Sequence, residues 1–185
     1  MIDVNELRKG VTFTMGGELY KVLEYQHRKP GRGKATIRTT LRNIRTGATV
    51  QHNFISGDRV EDIRVERRGV QYLYTDGDLY HFMDTETYDQ MALSVSMLGD
   101  QARYLKEGLE LVLALYGEEP LDVELPTTVA LEVVEAEMAV AGDTATGALK
   151  KVTLETGLQM QTPLFIKPGD VIRVDTRTGE YVTRA

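Results

Sequence analysis

The stretch Lys29-Pro-Gly-Arg-Gly-Lys-Ala-Thr-Ile-Arg-Thr-Thr-Leu-Arg42 decides the fold. Ala35, Ile37, Thr39 and Leu41 alternate with Thr36, Arg38, Thr40 and Arg42. Period two marks a strand with one buried face, and it sets the arginines on the other face. The loop before it, Lys29 to Gly33, holds a proline and two glycines, residues that turn a chain rather than extend a ladder. Upstream, Val11, Phe13 and Met15 alternate with small or polar residues, and Leu19 to Tyr25 reads as a second strand beyond Gly16-Gly17. Downstream, Arg45-Thr-Gly47 is the next turn. Strands parted by short glycine turns predict a small SH3-like barrel over residues 1–63.

The same grammar continues. Tyr72 to Tyr74, the turn Asp76-Gly77-Asp78, and Leu79 to Met83 form a hairpin. The spacing of these aspartates is that of a turn and lacks the twelve-residue loop of a calcium site. Leu98, Ala102 and Leu105 recur at helical spacing, which predicts one helix over Ser96 to Glu107. Strands follow at Leu109 to Tyr116 and Leu121 to Leu125. Five strands with a helix after the third predict an OB barrel over 64–127. In the last block Val129, Leu131 and Val133 alternate with polar or small residues, and Lys151 to Leu154, Leu158 to Gln161 and Val171 to Val174 read as strands. A loop of small residues spans Ala139 to Gly147. The expectation is an all-β chain of three small barrels, 1–63, 64–127 and 128–185, the last two OB folds. Cores that small are marginal alone, so at least two should pack together.

The chain of 185 residues carries a net charge of −6, unevenly placed. No acid falls between Glu24 and Asp58, where Arg28, Lys29, Arg32, Lys34, Arg38, Arg42 and Arg45 cluster. An acidic protein with one acid-free basic lobe meets a polyanion at one end, unless the lobe is only a solvated strand face. There are no cysteines, which removes disulfides, thiolate catalysis and Cys-ligated zinc. His27, His52 and His81 lack metal-ligand spacing, and His81 reads as structural within its strand. Gly31 to Thr36 lacks the spacer and Lys-Ser/Thr pair of a phosphate loop. Neither a nucleophile elbow nor a singled-out carboxylate pair is present, so the chain reads as a non-enzyme without catalytic residues, cofactor or metal. No apolar run is long enough to cross a bilayer and no signal peptide opens the chain, so a cytoplasmic protein is expected.

Several motifs then coincide. Lys29-Pro-Gly-Arg-Gly33 with Leu41 to Gly47 resembles the first domain of bacterial translation elongation factor P. Tyr72 to Gly77 with His81 to Asp84 resembles its second domain. Gly142-Asp-Thr144, Thr153 to Gly157, Pro163-Leu-Phe165 and Asp175-Thr-Arg-Thr-Gly-Glu-Tyr181 resemble its third. The resemblance implies an L-shaped, tRNA-like protein, monomeric, that binds the 70S ribosome between the peptidyl and exit sites and relieves stalling at consecutive prolines. It implies that Lys29, Pro30, Gly31, Arg32 and Gly33 reach the CCA end of peptidyl-tRNA, with Arg28, Lys34, Arg38, Arg42 and Arg45 facing RNA. It also places Gly142, Asp143 and Thr144 near the exit-site end of the small subunit; Arg177, Tyr181 and Arg184 join them as candidate contacts of the third domain with ribosome and rRNA, although Asp175 to Tyr181 can equally be read as a structural turn.

The tip departs from the commonest family pattern, in which a lysine at this position is modified. Arginine stays protonated and cannot follow lysine's acylation route. Three readings stay open: Arg32 acts unmodified, a modifying enzyme attaches rhamnose to Arg32, or Lys34 is the residue modified. The rival reading is a ribosome-independent OB/SH3 protein that binds single-stranded RNA, for which stacking aromatics would be the sign.

Overall fold

The computed structural model describes residues 1–138 and 147–185. Gly142, Asp143 and Thr144 lie outside the described residues.

A first sheet is built from β1 (Ile2–Asp3), β2 (Thr12–Met15), β3 (Glu18–Arg28), β4 (Thr36–Asn43), β5 (Thr49–Ile55) and β6 (Arg59–Asp62), in the order β1-β6-β2-β3-β4-β5. The alternation read from the sequence sets its faces. Ile37, Thr39 and Leu41 are buried while Arg38 is exposed and Arg42 half-buried. Val4, Leu7, Phe13, Val22, Ile37, Leu41, Phe54 and Val60 form the core inside the curl. Each such side chain stabilises the fold by about 1.5–3 kcal/mol relative to exposure. The eleven residues of β3 pair with β4 from Tyr20↔Asn43 out to Arg28↔Thr36, so the loop of residues 29–35 sits at the far end of a long arm.

The second sheet holds β7 (Glu66–Thr75), β8 (Leu79–Asp84), β9 (Gln90–Ser94), β10 (Glu110–Tyr116) and β11 (Glu119–Glu124), in the order β11-β10-β7-β8-β9. The continuous helix expected over Ser96 to Glu107 is not formed. One α-helical turn, α1 (Val95–Leu98), ends at Gly99, whose φ of 57° leaves the helical region, and Gly99–Tyr104 continues as 3-10 helix. The apolar spacing survives the change, since Leu98 and Leu105 are both buried. The third sheet holds β12 (Thr128–Ala136), β13 (Leu149–Leu154), β14 (Gln159–Pro163), β15 (Val171–Asp175) and β16 (Tyr181–Arg184), in the order β14-β13-β12-β15-β16. Its core centres on Leu131, Val133, Leu154, Ile166 and Ile172. Pro163 is the last residue of β14, and β1, β5, β6, β9 and β16 are strands the sequence reading does not name.

The described chain divides into two compact units, Met1–Glu66 with Leu115–Leu121, and Arg67–Ala114 with Asp122–Ala185. Within the second unit, Tyr104 and Leu109 pack on the third sheet's core, and Lys106 Nζ lies 3.0 Å from Glu155 Oε1.

One turn recurs in all three sheets, at Asn43-Ile-Arg-Thr-Gly47, Asp84-Thr-Glu-Thr-Tyr88 and Asp175-Thr-Arg-Thr-Gly179. The first residue's side-chain oxygen accepts the backbone N–H groups two and three residues on: 2.9 and 3.0 Å at Asn43, 2.8 and 3.0 Å at Asp84, 2.8 and 3.3 Å at Asp175. Its own carbonyl accepts the N–H of the fifth residue at 2.8, 2.9 and 2.8 Å. The threonine hydroxyl accepts the next N–H beyond, from Ala48, Asp89 and Glu180. The fifth residue has positive φ in each case: Gly47 at 75°, Tyr88 at 62° and Gly179 at 75°. A short Asx side chain supplies the acceptors that a tight turn leaves wanting. The N–H bonds from Thr87 and Glu86 hold the Asp84 carboxyl below its usual range.

Candidate nucleic-acid interface

The tip loop follows from its residues. Pro30 cannot donate to a ladder, so pairing of β3 and β4 stops at Arg28 and Thr36. Gly33 has a φ of 102°, a conformation that strains any L side chain. Lys29 through Lys34 are all exposed. Arg28, Lys29, Arg32 and Lys34 have no side-chain ion pair among the described residues. A Cβ built on Gly31 or Gly33 meets nothing within 4 Å, so the loop projects into open space.

At its base, Arg28, Lys29, Pro30, Thr36, Arg38 and Asn53 line an open concavity of about 620 Å³. Arg38 Nη2 donates to Gln51 Oε1 at 3.1 Å on the neighbouring strand, which holds the guanidinium along the outer face. With no carboxylate in the lining, the concavity can take phosphate oxygens or other anions. The sequence reading did not assign Thr36 or Asn53 to the site. They enter because the ladders set Thr36 beside Arg28 and Asn53 beside Arg38.

Arg45 is engaged elsewhere. Its Nε and Nη2 donate to the two oxygens of Glu119 at 2.8 and 3.1 Å, and Nη1 donates to the Gly17 carbonyl at 2.9 Å. This bidentate pairing raises the Arg45 pKa further. The exposed guanidinium thus has its donors engaged in fixing one turn to another. Arg42 is half-buried and has a partner, so it too is less available than Arg38.

In the third sheet, Arg177 folds back on its own turn, with Nη2 3.1 Å from Asp175 Oδ2. That hydrogen bond, with the Arg177 and Thr178 backbone N–H groups, holds the Asp175 carboxyl low. Tyr181 pairs with Val174 and packs half-buried against the core, so the structural reading of Asp175 to Tyr181 accounts for each side chain it uses. Arg184 differs. It is exposed, its guanidinium forms no hydrogen bond among the described residues, and it lies over the Phe165 ring at 5.9 Å. His81 is structural as expected, with Nε2 3.0 Å from Asp76 Oδ2 and its ring stacked on Tyr74 at 4.5 Å.

Among the described residues, no helix is long and apolar enough to cross a membrane, and no group of three or more His, Asp or Glu could hold a metal ion.

Three family models match in succession: the elongation factor P KOW-like domain over residues 3–60, the elongation factor P OB domain over 65–123, and the elongation factor P C-terminal domain over 129–184. The chain is 50% identical over 185 residues to elongation factor P of Moorella thermoacetica, with all of both chains covered. It is 47% identical over 184 residues to that of Pelotomaculum thermopropionicum and 48% identical over 184 residues to that of a Synechococcus strain, again over all of both chains. A solved structure, eukaryotic translation initiation factor 5A from Methanococcus jannaschii, shares the fold with a TM-score of 0.52 at 22% identity, over 68% of this chain and 90% of that one. Matched end to end by these models and relatives, the chain belongs to the elongation factor P family of translation elongation factors.

Proposed function

We propose that this elongation factor binds the 70S ribosome between the peptidyl and exit sites and speeds peptide-bond formation at consecutive prolines. The observation that carries the reading is the tip loop: exposed cations, free of ion pairs among the described residues, at the end of the long β3–β4 arm. Proline is a poor acceptor and a stiff donor, because its ring fixes φ and restricts the residue before it. A slow transfer of this kind gains from orientation alone, since a positioned substrate has its entropy cost met in advance. Lys29 through Gly33 supply that orientation at the CCA end of peptidyl-tRNA. Arg28, Lys34 and Arg38 hold phosphates, contacts that position without reading sequence. Arg42 and Arg45 take a lesser part because each already has a partner. The ribosome performs the chemistry, so the factor needs no catalytic residue. The three-part division at 63/64 and 127/128 belongs to the same reading and is supported by the confinement of each sheet to one part. The match to elongation factor P relatives along the whole chain favours it over a ribosome-independent RNA-binding module.

Arg32 acts through its guanidinium, whose five donors on a long arm reach the tRNA from an open loop. Arg32→Ala is the test. In reconstituted translation it should abolish the gain in Pro-Pro-Pro synthesis while ribosome binding stays within a few-fold. Unchanged synthesis by the variant sinks the role. Intact-mass measurement of native protein decides whether a sugar is attached to Arg32.

A further inference from the structure

Four aromatic rings stand exposed among the described residues: Tyr74, Tyr88, Tyr116 and Phe165. Three of them sit among carboxylates. Tyr74 stacks on His81 beside Asp76, Tyr88 lies between Asp84, Glu86 and Asp89, and Tyr116 precedes Glu118 and Glu119. Phe165 is different. It is 56% exposed while the other phenylalanines, Phe13, Phe54 and Phe82, are at most 5% exposed. Residues 156–169 contain no acid at all. The nearest carboxylate along the chain, Asp170, is turned into the connection, where it accepts the Lys167 backbone N–H at 2.9 Å. Lys167 is exposed two residues away, and the Arg184 guanidinium lies 5.9 Å from the ring centroid with its donors unused among the described residues. Leu149, 55% exposed, is opposite Pro163 in the ladder.

More than half of the Phe165 surface faces solvent, which leaves one side of the ring open to a ligand. A ring fixed beside a guanidinium and a second cation, in a chain of net charge −6, matches an anionic ligand with a flat apolar face. We propose that Phe165 and Arg184 form a stacking site for one unpaired RNA base, with Arg184 and Lys167 holding the flanking phosphodiester. The base lies on the open side of the Phe165 ring, and stacking is sequence-tolerant because every base has a π-face. This deepens the RNA contact assigned to Arg184 and rests on the ribosome-bound reading. It places that contact on β16 and the connection that follows β14, apart from the Asp175 turn, whose side chains are already engaged.

The test uses the full chain, with 13C-labelled phenylalanine and 15N-labelled arginine, and a single-stranded RNA hexamer. RNA should shift the Phe165 ring and Arg184 Nε signals and leave the rings of Phe13, Phe54 and Phe82 in place. Phe165→Leu should weaken the affinity read at Arg184 by about 5-fold to about 100-fold, the range of one lost base stack, while Phe165→Tyr retains it and all variants melt with the parent. RNA that shifts only the basic lobe of the first sheet overturns the proposal. So does a Phe165→Leu variant that binds RNA normally but ribosomes weakly, since that makes Phe165 a protein contact. Ribosome pelleting of the parent chain separates the two readings: failure to pellet strikes the proposed function, whereas normal pelleting with an unmoved Phe165 strikes only the stacking site.

Discussion

The recurring turn makes one perturbation decisive, because nature has placed two glycines and one tyrosine in the same backbone position. Tyr88 has a φ of 62° and is 68% exposed, with no hydrogen bond or ring contact from its side chain among the described residues. Left-handed backbone costs an L residue roughly 1–2 kcal/mol. Replacing Tyr88 by glycine removes that cost and adds back about 0.5–1 kcal/mol of unfolded-chain entropy. The hydrogen bonds of the turn come from Asp84, Thr87 and the backbone, so they survive the change. Tyr88→Gly should therefore stabilise the protein by about 0.5 kcal/mol, a rise of about 1–2 °C in Tm for a chain of this size. The reverse changes supply the control. Gly47→Ala enters open space and meets only the φ penalty, which outweighs its entropic gain by about 0.5–1 kcal/mol. Gly179→Ala adds a Cβ 3.1 Å from the Tyr104 hydroxyl and should cost more than Gly47→Ala. Thermal unfolding followed by circular dichroism measures all three. The reasoning fails if Tyr88→Gly lowers Tm, or if the glycine replacements raise it.

Asn53→Asp puts a carboxylate in the concavity beside Arg38 and should weaken binding to ribosomes or tRNA with Tm unchanged, the loss shrinking as salt rises; equal affinity at low salt would clear the concavity of any role. Asp76 is held at about 2, below its ordinary 3.8, first by the His81 hydrogen bond and then by the Leu79 and Asp78 N–H groups. The folded state thus binds fewer protons than the unfolded one between about pH 4 and 2, stability falls as pH drops through that window, and Asp76→Asn should flatten that part of the Tm profile. Tyr181→Ala removes a half-buried ring from the third core and should lower stability by about 2 kcal/mol in denaturant titration, leaving the RNA response of Phe165 intact.

Much of this was legible because the informative signals were local. The alternation from Ala35 to Arg42 set a strand, a buried face and an arginine face in one reading, and the ladder agrees. The tip was legible for the same reason: Pro30, Gly31 and Gly33 are contiguous with the cations they present. What was missed depends on distance or on a broken pattern. Glu119 stands 74 residues from Arg45, so the pair that engages the Arg45 guanidinium leaves no trace in spacing. Thr36 and Asn53 become neighbours of Arg28 only through register. The helix over Ser96 to Glu107 failed at Gly99, because apolar residues three and four apart satisfy a 3-10 segment as well as an α-helix. The repeated turn was visible as Asn or Asp followed three residues later by threonine, but reading turns by glycine hides its second copy behind Tyr88.

The placement of acids, more than of bases, orients this protein. Outside the acid-free segment several cations have a carboxylate: Arg67 pairs with Glu124, Arg103 with Asp100, Lys106 with Glu155 and Arg177 with Asp175. Exposed pairs of this kind contribute little to stability, about 0–1 kcal/mol each. Their larger effect is to quench the local field around those cations. Between Glu24 and Asp58 no carboxylate is available, and the cations of residues 28–34 stay unpaired on an open loop. A phosphate that approaches one of these pairs meets little net attraction, whereas at the tip it meets several donors at once. The proposed contact with peptidyl-tRNA uses these unpaired tip cations, and the proposed site at Phe165 uses one further unengaged guanidinium, Arg184, in the third sheet.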